Sequence, residues 1–246
     1  MPVALITGAS RGIGAAAAHR FAAAGFDLLL VARSRDRLDL LATDLRALGR
    51  QVHTAAIDLA DAAAVEAGIS DLCARGLRPT VLINNAGAAW TGPLASMPTE
   101  SWQWLIQLNL TSVFQVCKAV LPLLRRDPAP DDQATASGGG LIINVSSHAA
   151  RNAFPDWGAY CASKAALQAF SRCLAEEERP HGVRVCTLTL GSVNTPLWDS
   201  ETVNSSFDRR AMLPADQAAD ALLVLAQQPP TQVVEDLTLM PTAGAF

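Results

Sequence analysis

Seven short runs rich in leucine and β-branched residues are strung along this chain with helical spacing between them, and that alternation limits the fold more than any other feature. They read VALIT at 3–7, DLLLVAR at 27–33, VHTAAID at 52–58, TVLINN at 80–85, LIINVSS at 141–147, VRVCTLTL at 183–190 and DLTLM at 236–240. A strand that is apolar on both faces must be covered on both, which calls for a parallel sheet between two layers of helices. Right-handed crossovers then give a doubly wound α/β fold, a seven-stranded parallel sheet with helices on both faces. Helices are expected at 13–24 and 35–48, stopped by Gly25 and Gly49, and at 101–124 and 157–178. No repeat or second linker appears, so residues 1–246 are expected to form one domain. The segment DPAPDDQATASGGG at 127–140 is expected to be a mobile loop. It enters its strand from the N-terminal edge, away from the carboxyl ends where ligands gather in such sheets.

Composition removes several classes. Half the residues are apolar, yet no uninterrupted apolar run reaches the length of a membrane span, and Gly8 to Gly14 follow the first strand too closely for a secretory signal. A soluble, cytoplasmic protein without a membrane partner is expected. The five cysteines are odd in number, with no C-x-x-C pair and no paired histidines at ligand spacing, so they read as reduced core residues and no metal is expected. A net charge of -4 gives no basic footprint for nucleic acid. Any anion must be bound locally.

TGASRGIG at 7–14 follows the first strand and opens the first helix. Gly8, Gly12 and Gly14 fall where a backbone turns tightly and approaches a ligand closely, and free amides at the helix start would face a pyrophosphate. Ser10, Arg11 and Ile13 complete that loop. A plain glycine turn is the competing reading, which the strand-loop-helix context disfavours. The end of the second strand selects the nucleotide. An acid there takes the ribose hydroxyls of NAD, whereas a 2'-phosphate needs cations. Here VARSR places Arg33 and Ser34 at that position with Arg11 in the loop beside them, so NADP(H) is expected. Arg35 and Arg37 read as the solvated start of a helix. Asp58 either accepts from an adenine amino group or caps the helix that starts near Asp61. NNAG at 84–87 closes the fourth strand, and Asn85, Ala86 and Gly87 are expected to line the adenosine ribose; Asn84 and Asn85 as turn residues are the competing view.

The chain has one tyrosine, Tyr160, and two lysines, Lys118 and Lys164. Four residues apart on a helix, Tyr160 and Lys164 share a face. A free phenol titrates at about 10, and a neighbouring ammonium favours the phenolate, so the pair is expected to give and take a proton with a lowered tyrosine pKa. Ser147 stands at the carboxyl end of its strand, placed to hydrogen-bond a carbonyl oxygen. Asn109 is a polar residue within an apolar helix, where asparagine is a poor former, so a bonding role is expected.

On these motifs the chain resembles the single-domain short-chain dehydrogenase/reductases over nearly its whole length. The resemblance rests on T-G-x-x-x-G-x-G at Thr7–Gly14, N-N-A-G at Asn84–Gly87, Asn109, Ser147 and Y-x-x-x-K at Tyr160–Lys164. It implies a Rossmann-type fold and reversible hydride transfer between NADPH and a carbonyl. Tyr160 would be general acid in reduction and base in oxidation, and Lys164 would bind the nicotinamide ribose and depress the tyrosine pKa. Ser147 would polarise the carbonyl, and Asn109 would hold a water in a relay to Lys164. Val193 and Thr195 would meet the carboxamide and phosphate. Two departures stand out: Leu190 precedes Gly191 where proline is common, and Ala150 stands three residues after Ser147 where glycine is frequent, which is expected to shift that loop slightly.

Trp90, Phe154, Trp157 and Trp198, with Phe207, lie on three segments expected to border the nicotinamide, and would suit an apolar or flat substrate. The alternative is that two of these rings pack inward or at a subunit contact. Trp198 is expected on a lid within 191–213. A reductase of 3-oxoacyl groups on an acidic carrier protein is an alternative, disfavoured because the helix after Lys164 offers Glu176, Glu177 and Glu178 where basic residues are needed, with Arg172 and Arg179 as partial compensation. A non-catalytic NADP-binding regulator would have lost the serine, tyrosine or lysine, and phosphoryl transfer lacks its G-K-[ST]. The apolar helices at 101–124 and 157–178 are expected to pair across a two-fold axis as a homodimer or homotetramer.

Overall fold

The structure, a computed structural model, describes residues 1–125 and 138–244. The loop expected at 127–140 lies, as far as residue 137, outside the described residues. Strand β1 (Val3–Thr7) leads to helix α1 (Gly12–Ala23), β2 (Asp27–Ala32) to α2 (Arg35–Ala47), and β3 (Val52–Ala56) to α3 (Ala62–Cys73). After β4 (Val81–Asn84) come α4 (Thr99–Ile106), a π turn at Gln107–Thr111 and α5 (Ser112–Leu124). Then follow β5 (Leu141–Ser147), α6 (Gly158–Glu178), β6 (Arg184–Leu190), the two-residue strands β7 (Val193–Asn194) and β8 (Leu213–Pro214), α7 (Ala215–Ala226) and β9 (Asp236–Leu239).

The main sheet runs β3-β2-β1-β4-β5-β6-β9 and every pairing in it is parallel. β7 and β8 pair only with each other. Alternation along the strands feeds two cores. Leu28 and Leu30 pack with Phe21, Leu38, Leu45 and Leu222 on one face. Leu29 and Val31 pack with Ile69, Leu82, Val116 and Leu167 on the other. Each such side chain, once fully buried, contributes about 1.5–3 kcal/mol.

Strand order reverses between β1 and β4, which opens a crevice beyond their carboxyl ends. Thr7 and Asn85 hold its floor: the Thr7 hydroxyl oxygen accepts from the amides of Asn85 and Ala86, both at 3.1 Å, and Asn85 Nδ2 donates to the Thr7 carbonyl at 3.0 Å. Gly14 is required here, because a Cβ would lie 2.2 Å from the Gly8 carbonyl oxygen and 2.7 Å from Asn85 Nδ2.

Differences from the sequence reading fall at element ends. The runs at 27–33, 52–58 and 80–85 end one or two residues early, because Arg33, Asp58 and Asn85 turn out of the ladder. The helix expected at 101–124 begins at Thr99 and widens at the π turn, where the Ser112 amide bonds the Gln107 carbonyl five residues back. That continuous helix, Thr99–Leu124, is apolar and long enough to cross a membrane. Leu105, Val113, Val116, Val120 and Leu124 are buried within the protein. Helix α7, which the strand-centred reading left unplaced, packs on α1 and completes that layer.

Candidate active site

A cavity of about 670 Å³ lies across the carboxyl ends of the strands. At one end it meets the start of α1. Gly12 has φ +56°, and no side chain caps that helix. Gly8, Ser10, Arg11, Gly12 and Ile13 line the cavity, while Gly14 packs beneath. Arg33 and Ser34, at the end of β2, line it too, and so does Arg37. Arg37 is exposed in the first turn of α2, as expected of a solvated helix start, and from there it also borders the cavity. The guanidinium groups of Arg11, Arg33 and Arg37 make no hydrogen bond or ion pair with any described residue.

Asp58 lines the cavity with Leu59, and its Oδ1 accepts from the Ala60 amide at 3.0 Å. The helix cap is Asp61, which accepts from the Ala63 amide, also at 3.0 Å. Of the two asparagines in NNAG, Asn84 is buried and donates to Asn144 Oδ1 at 2.9 Å, whereas Asn85 joins Ala86 and Gly87 on the cavity wall. Val193 and Thr195 line the opposite wall, and the Thr195 hydroxyl caps the short turn Pro196–Asp199. Between Gly191 and Val193, the Ser192 Oγ is buried without a hydrogen-bond partner, as is Ser146 Oγ beside Ser147; both serines line the cavity.

At the centre β5 delivers Ser147 and α6 delivers Tyr160 and Lys164. Ser147 and Tyr160 line the cavity together, close enough for the serine hydroxyl to lower the tyrosine pKa, and Lys164 Nζ lies 5.9 Å from the tyrosine ring centroid. Ser147 Oγ also accepts from the Ala149 amide at 3.2 Å. This closes the turn His148–Ala150 with alanine, not glycine, at position 150. Lys164 is buried, donates to the Val145 carbonyl at 2.9 Å, and has its pKa lowered to about 8 because burial disfavours the ammonium. The expected depression of Tyr160 is corrected. Burial pushes its pKa up, the Ser147 hydroxyl opposes that only in part, and the ammonium bonds a backbone carbonyl instead of the phenol.

Asn109 lies in the π turn, fully buried, and does not line the cavity. Its Oδ1 accepts from the Ala88 amide and its Nδ2 donates to the Ala88 carbonyl, each at 2.9 Å, and to Ser163 Oγ at 3.0 Å. The side chain is thus engaged by protein groups, so a water would have to sit on the backbone.

Phe154, Trp157 and Trp198 line the cavity near Tyr160, joined by Leu197 and Phe207. Trp90 does not. It faces a smaller neighbouring cleft with Glu100, Ser101, Trp104 and Thr202, because Gly92, at φ +148°, turns the chain so that its own α-carbon lies under the indole. The loop that carries Trp198 is tied down: Trp198 Nε1 donates to the Val193 carbonyl at 2.8 Å, and Thr202 Oγ1 to the Ala89 carbonyl at 2.7 Å. His148, Trp104, Ser192, Glu201 and Met240 also line the cavity and were not singled out from the sequence. His148 had a signal, standing next to Ser147. Met240 had none, since it arrives only through the pairing of β9 with β6.

The acidic stretch that ends α6 is partnered, by Arg179 as expected and also by Arg125. Glu178 is buried and takes both Nε and Nη2 of Arg125, at 2.8 and 2.6 Å, and Glu176 pairs with Arg179. Two of the three carboxylates are therefore neutralised by partners, which weakens the repulsion argument against a carrier-bound substrate.

Residues 2–205 match the family described as short chain dehydrogenase. The chain is 34% identical over 250 residues to a sulfoacetaldehyde reductase of Chromohalobacter salexigens, covering 98% of this chain and 94% of that one. An alcohol dehydrogenase from the archaeon Thermococcus sibiricus, solved with 5-hydroxy-NADP, superposes with a TM-score of 0.86 at 32% identity, covering 98% and 97% of the two chains. A metagenomic short-chain oxidoreductase in complex with NADP superposes with a TM-score of 0.80 at 34% identity, covering 98% and 97%. With the motif residues of β1, β4, β5 and α6 gathered around one cavity and the family match spanning most of the sequence, this chain belongs to the short-chain dehydrogenases.

Proposed function

We propose that this chain is an NADP(H)-dependent oxidoreductase that interconverts a ketone or aldehyde and its alcohol, with Tyr160 as the proton donor in reduction. The observation that carries the reading is that Ser147 and Tyr160 line the same cavity, with Lys164 on the tyrosine's helix face. The NADP bound by two structural neighbours and the reductase activity of the curated relative favour it. A non-catalytic NADP-binding role is less favoured because serine, tyrosine and lysine are all kept together.

The lining fits a 2'-phosphorylated dinucleotide: three unpartnered arginines at one end, a side-chain-uncapped helix start beside them, and the orphaned Ser192 hydroxyl at the other. Arg11, Arg33 and Ser34 would hold the 2'-phosphate, with Arg37 as a third cation. The loop Gly8–Gly14 would hold the pyrophosphate, Asp58 the adenine, and Asn85, Ala86 and Gly87 the ribose. Val193 and Thr195 would meet the carboxamide and phosphate. NADPH, when bound, supplies the hydride.

Ser147 donates a hydrogen bond to the carbonyl oxygen and fixes its position against the Tyr160 hydroxyl. Tyr160 passes its proton to that oxygen as it becomes a hydroxyl, and the reverse transfer serves oxidation. The raised tyrosine pKa keeps the proton in place until the oxygen gains charge. The Lys164 ammonium stabilises the phenolate left behind and would hold the nicotinamide ribose. Reprotonation by a water relay would use the Asn109 backbone carbonyl, since its amide is engaged. A cytoplasmic location and pairing of two copies through α5 and α6 belong to the same proposal. Phe114 is 49% exposed on α5, edge-on to Phe170 of α6. A monomer by light scattering at micromolar concentration would exclude that pairing.

The test is loss of NADPH absorbance against a carbonyl panel, with Tyr160→Phe alongside. Removal of the proton donor should slow turnover by about 10²–10⁴-fold while NADPH still binds. Equal rates in the two proteins would exclude the tyrosine mechanism.

A further inference from the structure

Resting on that oxidoreductase reading, the geometry points to a flat, uncharged aryl ketone as substrate, its ring lying against a run of aromatic side chains that begins at the proton donor. We propose this from three observations: the run of rings, the saturation of nearby polar groups, and the placement of charge.

Tyr160 and Trp157 meet edge to face with centroids 5.6 Å apart, Trp157 and Trp198 are 5.7 Å apart, and Trp198 and Phe207 are 5.6 Å apart. All four line the cavity. A ring attached directly to the carbonyl carbon would begin where this run begins, and aromatic pairs favour such offset and edge contacts.

The polar groups around these rings are satisfied within the protein. Trp198 Nε1 donates to the Val193 carbonyl, Ser200 Oγ to the Leu197 carbonyl at 2.7 Å, and Thr202 Oγ1 to the Ala89 carbonyl. Asn152 Nδ2 lies 2.8 Å from His148 Nε2. With the orphaned Ser192 hydroxyl assigned to the dinucleotide and that of Ser146 buried beside Ser147, the Ser147 and Tyr160 hydroxyls form the polar point for substrate, which suits one carbonyl oxygen on an apolar body.

Charge argues the same way. The arginines that line the cavity belong to the glycine loop and to the end of β2 and start of α2, while Lys164 is bonded to the Val145 carbonyl. Glu201 lines the cavity with Ser200 and Thr202, so a carboxylate or sulfonate there would meet an acid and no arginine. This lining disfavours a sulfonated substrate for the chain.

The deciding experiment compares acetophenone, 2-octanone of equal carbon number and sulfoacetaldehyde as substrates with NADPH, in wild type and in Trp198→Leu and Phe207→Leu. Quenching of intrinsic tryptophan fluorescence by acetophenone is followed as a binding readout independent of turnover. The expected result is a kcat/KM for acetophenone about tenfold above that for 2-octanone and further above that for sulfoacetaldehyde. In the variants the aryl-to-aliphatic ratio should fall toward one and the quenching should weaken. Preference for 2-octanone or sulfoacetaldehyde, or an unchanged ratio in both variants, overturns the substrate class while leaving the oxidoreductase reading intact. No NADPH-dependent turnover of any member, with Tyr160→Phe indistinguishable from wild type, overturns both.

Discussion

Asn109 Nδ2 donates to Ser163 Oγ at 3.0 Å, which ties the π turn of one helix to the residue just before Lys164 on another. The same amide spans both backbone groups of Ala88, in the loop after Gly87, so three elements of the site meet at one buried side chain. Asn109→Ala leaves the Ala88 groups and the Ser163 hydroxyl facing an apolar gap. About 2–4 kcal/mol of stability should be lost, and urea denaturation reads it directly. Asn109→Asp keeps the acceptor for the Ala88 amide but sets a carboxylate against the Ala88 carbonyl, so it should not restore the loss. Wild-type stability in either variant would show that the loop is held by other contacts.

Lys164 carries a burial cost. Its pKa falls from 10.5 to about 8 in the fold. Between those values the unfolded chain binds more protons than the folded one, so stability rises with pH across that window. Below about 8 the full cost remains, on the order of 3 kcal/mol. Lys164→Met should therefore raise Tm at pH 7 and remove the rise between about pH 8 and 10.5, while abolishing most turnover. Calorimetry across pH checks this, and an unchanged pH dependence would mean the lysine is solvated in solution.

Arg33 stands unpartnered at the end of β2, and a charge-assisted hydrogen bond to a phosphate contributes about 1.5–3 kcal/mol. Arg33→Asp should lower the NADPH-to-NADH ratio of kcat/KM by about tenfold to a hundredfold, because the carboxylate repels the 2'-phosphate and accepts from ribose hydroxyls. Steady-state kinetics with both nucleotides decide it. If the ratio holds, Arg11 and Arg37 carry the preference instead.

Arg209 brackets the turn that holds Trp198. Its Nε donates to Asn194 Oδ1 and Nη1 to Asp199 Oδ1, each at 2.8 Å, and Nη2 to the Thr195 carbonyl at 2.9 Å. Arg209→Met should free that segment, seen as faster amide exchange over 194–200, with about a tenfold loss in kcat/KM carried mostly by KM. Arg209→Lys should fail to rescue, since one ammonium cannot reproduce a three-point fork. Unchanged exchange in Arg209→Met would show that the Trp198 and Thr202 contacts hold the loop alone.

Much of this architecture is legible in the chain because its signals are local. Strand periodicity marks seven β runs, Gly25 and Gly49 stop two helices with φ of +91° and +77°, and the spacing of Tyr160 and Lys164 puts them on one helix face. Strand order and crevice position follow from handedness and connection rules that hold for any such alternation. What the sequence could not settle depends on distance through space. Trp90 and Trp198 look alike as lone tryptophans in polar loops, yet one turns to a side cleft and the other joins Trp157 at the cavity. Arg37 is a solvated helix residue, and the sequence gives no sign that it also borders the cavity. The tyrosine pKa turns on burial, which desolvates the phenol more than any single neighbour can offset. Composition and periodicity thus determine which elements form and which residues face a common side, while the direction of each ring, the partner of each charge and the cost of each buried proton are decided by packing between segments far apart in the chain.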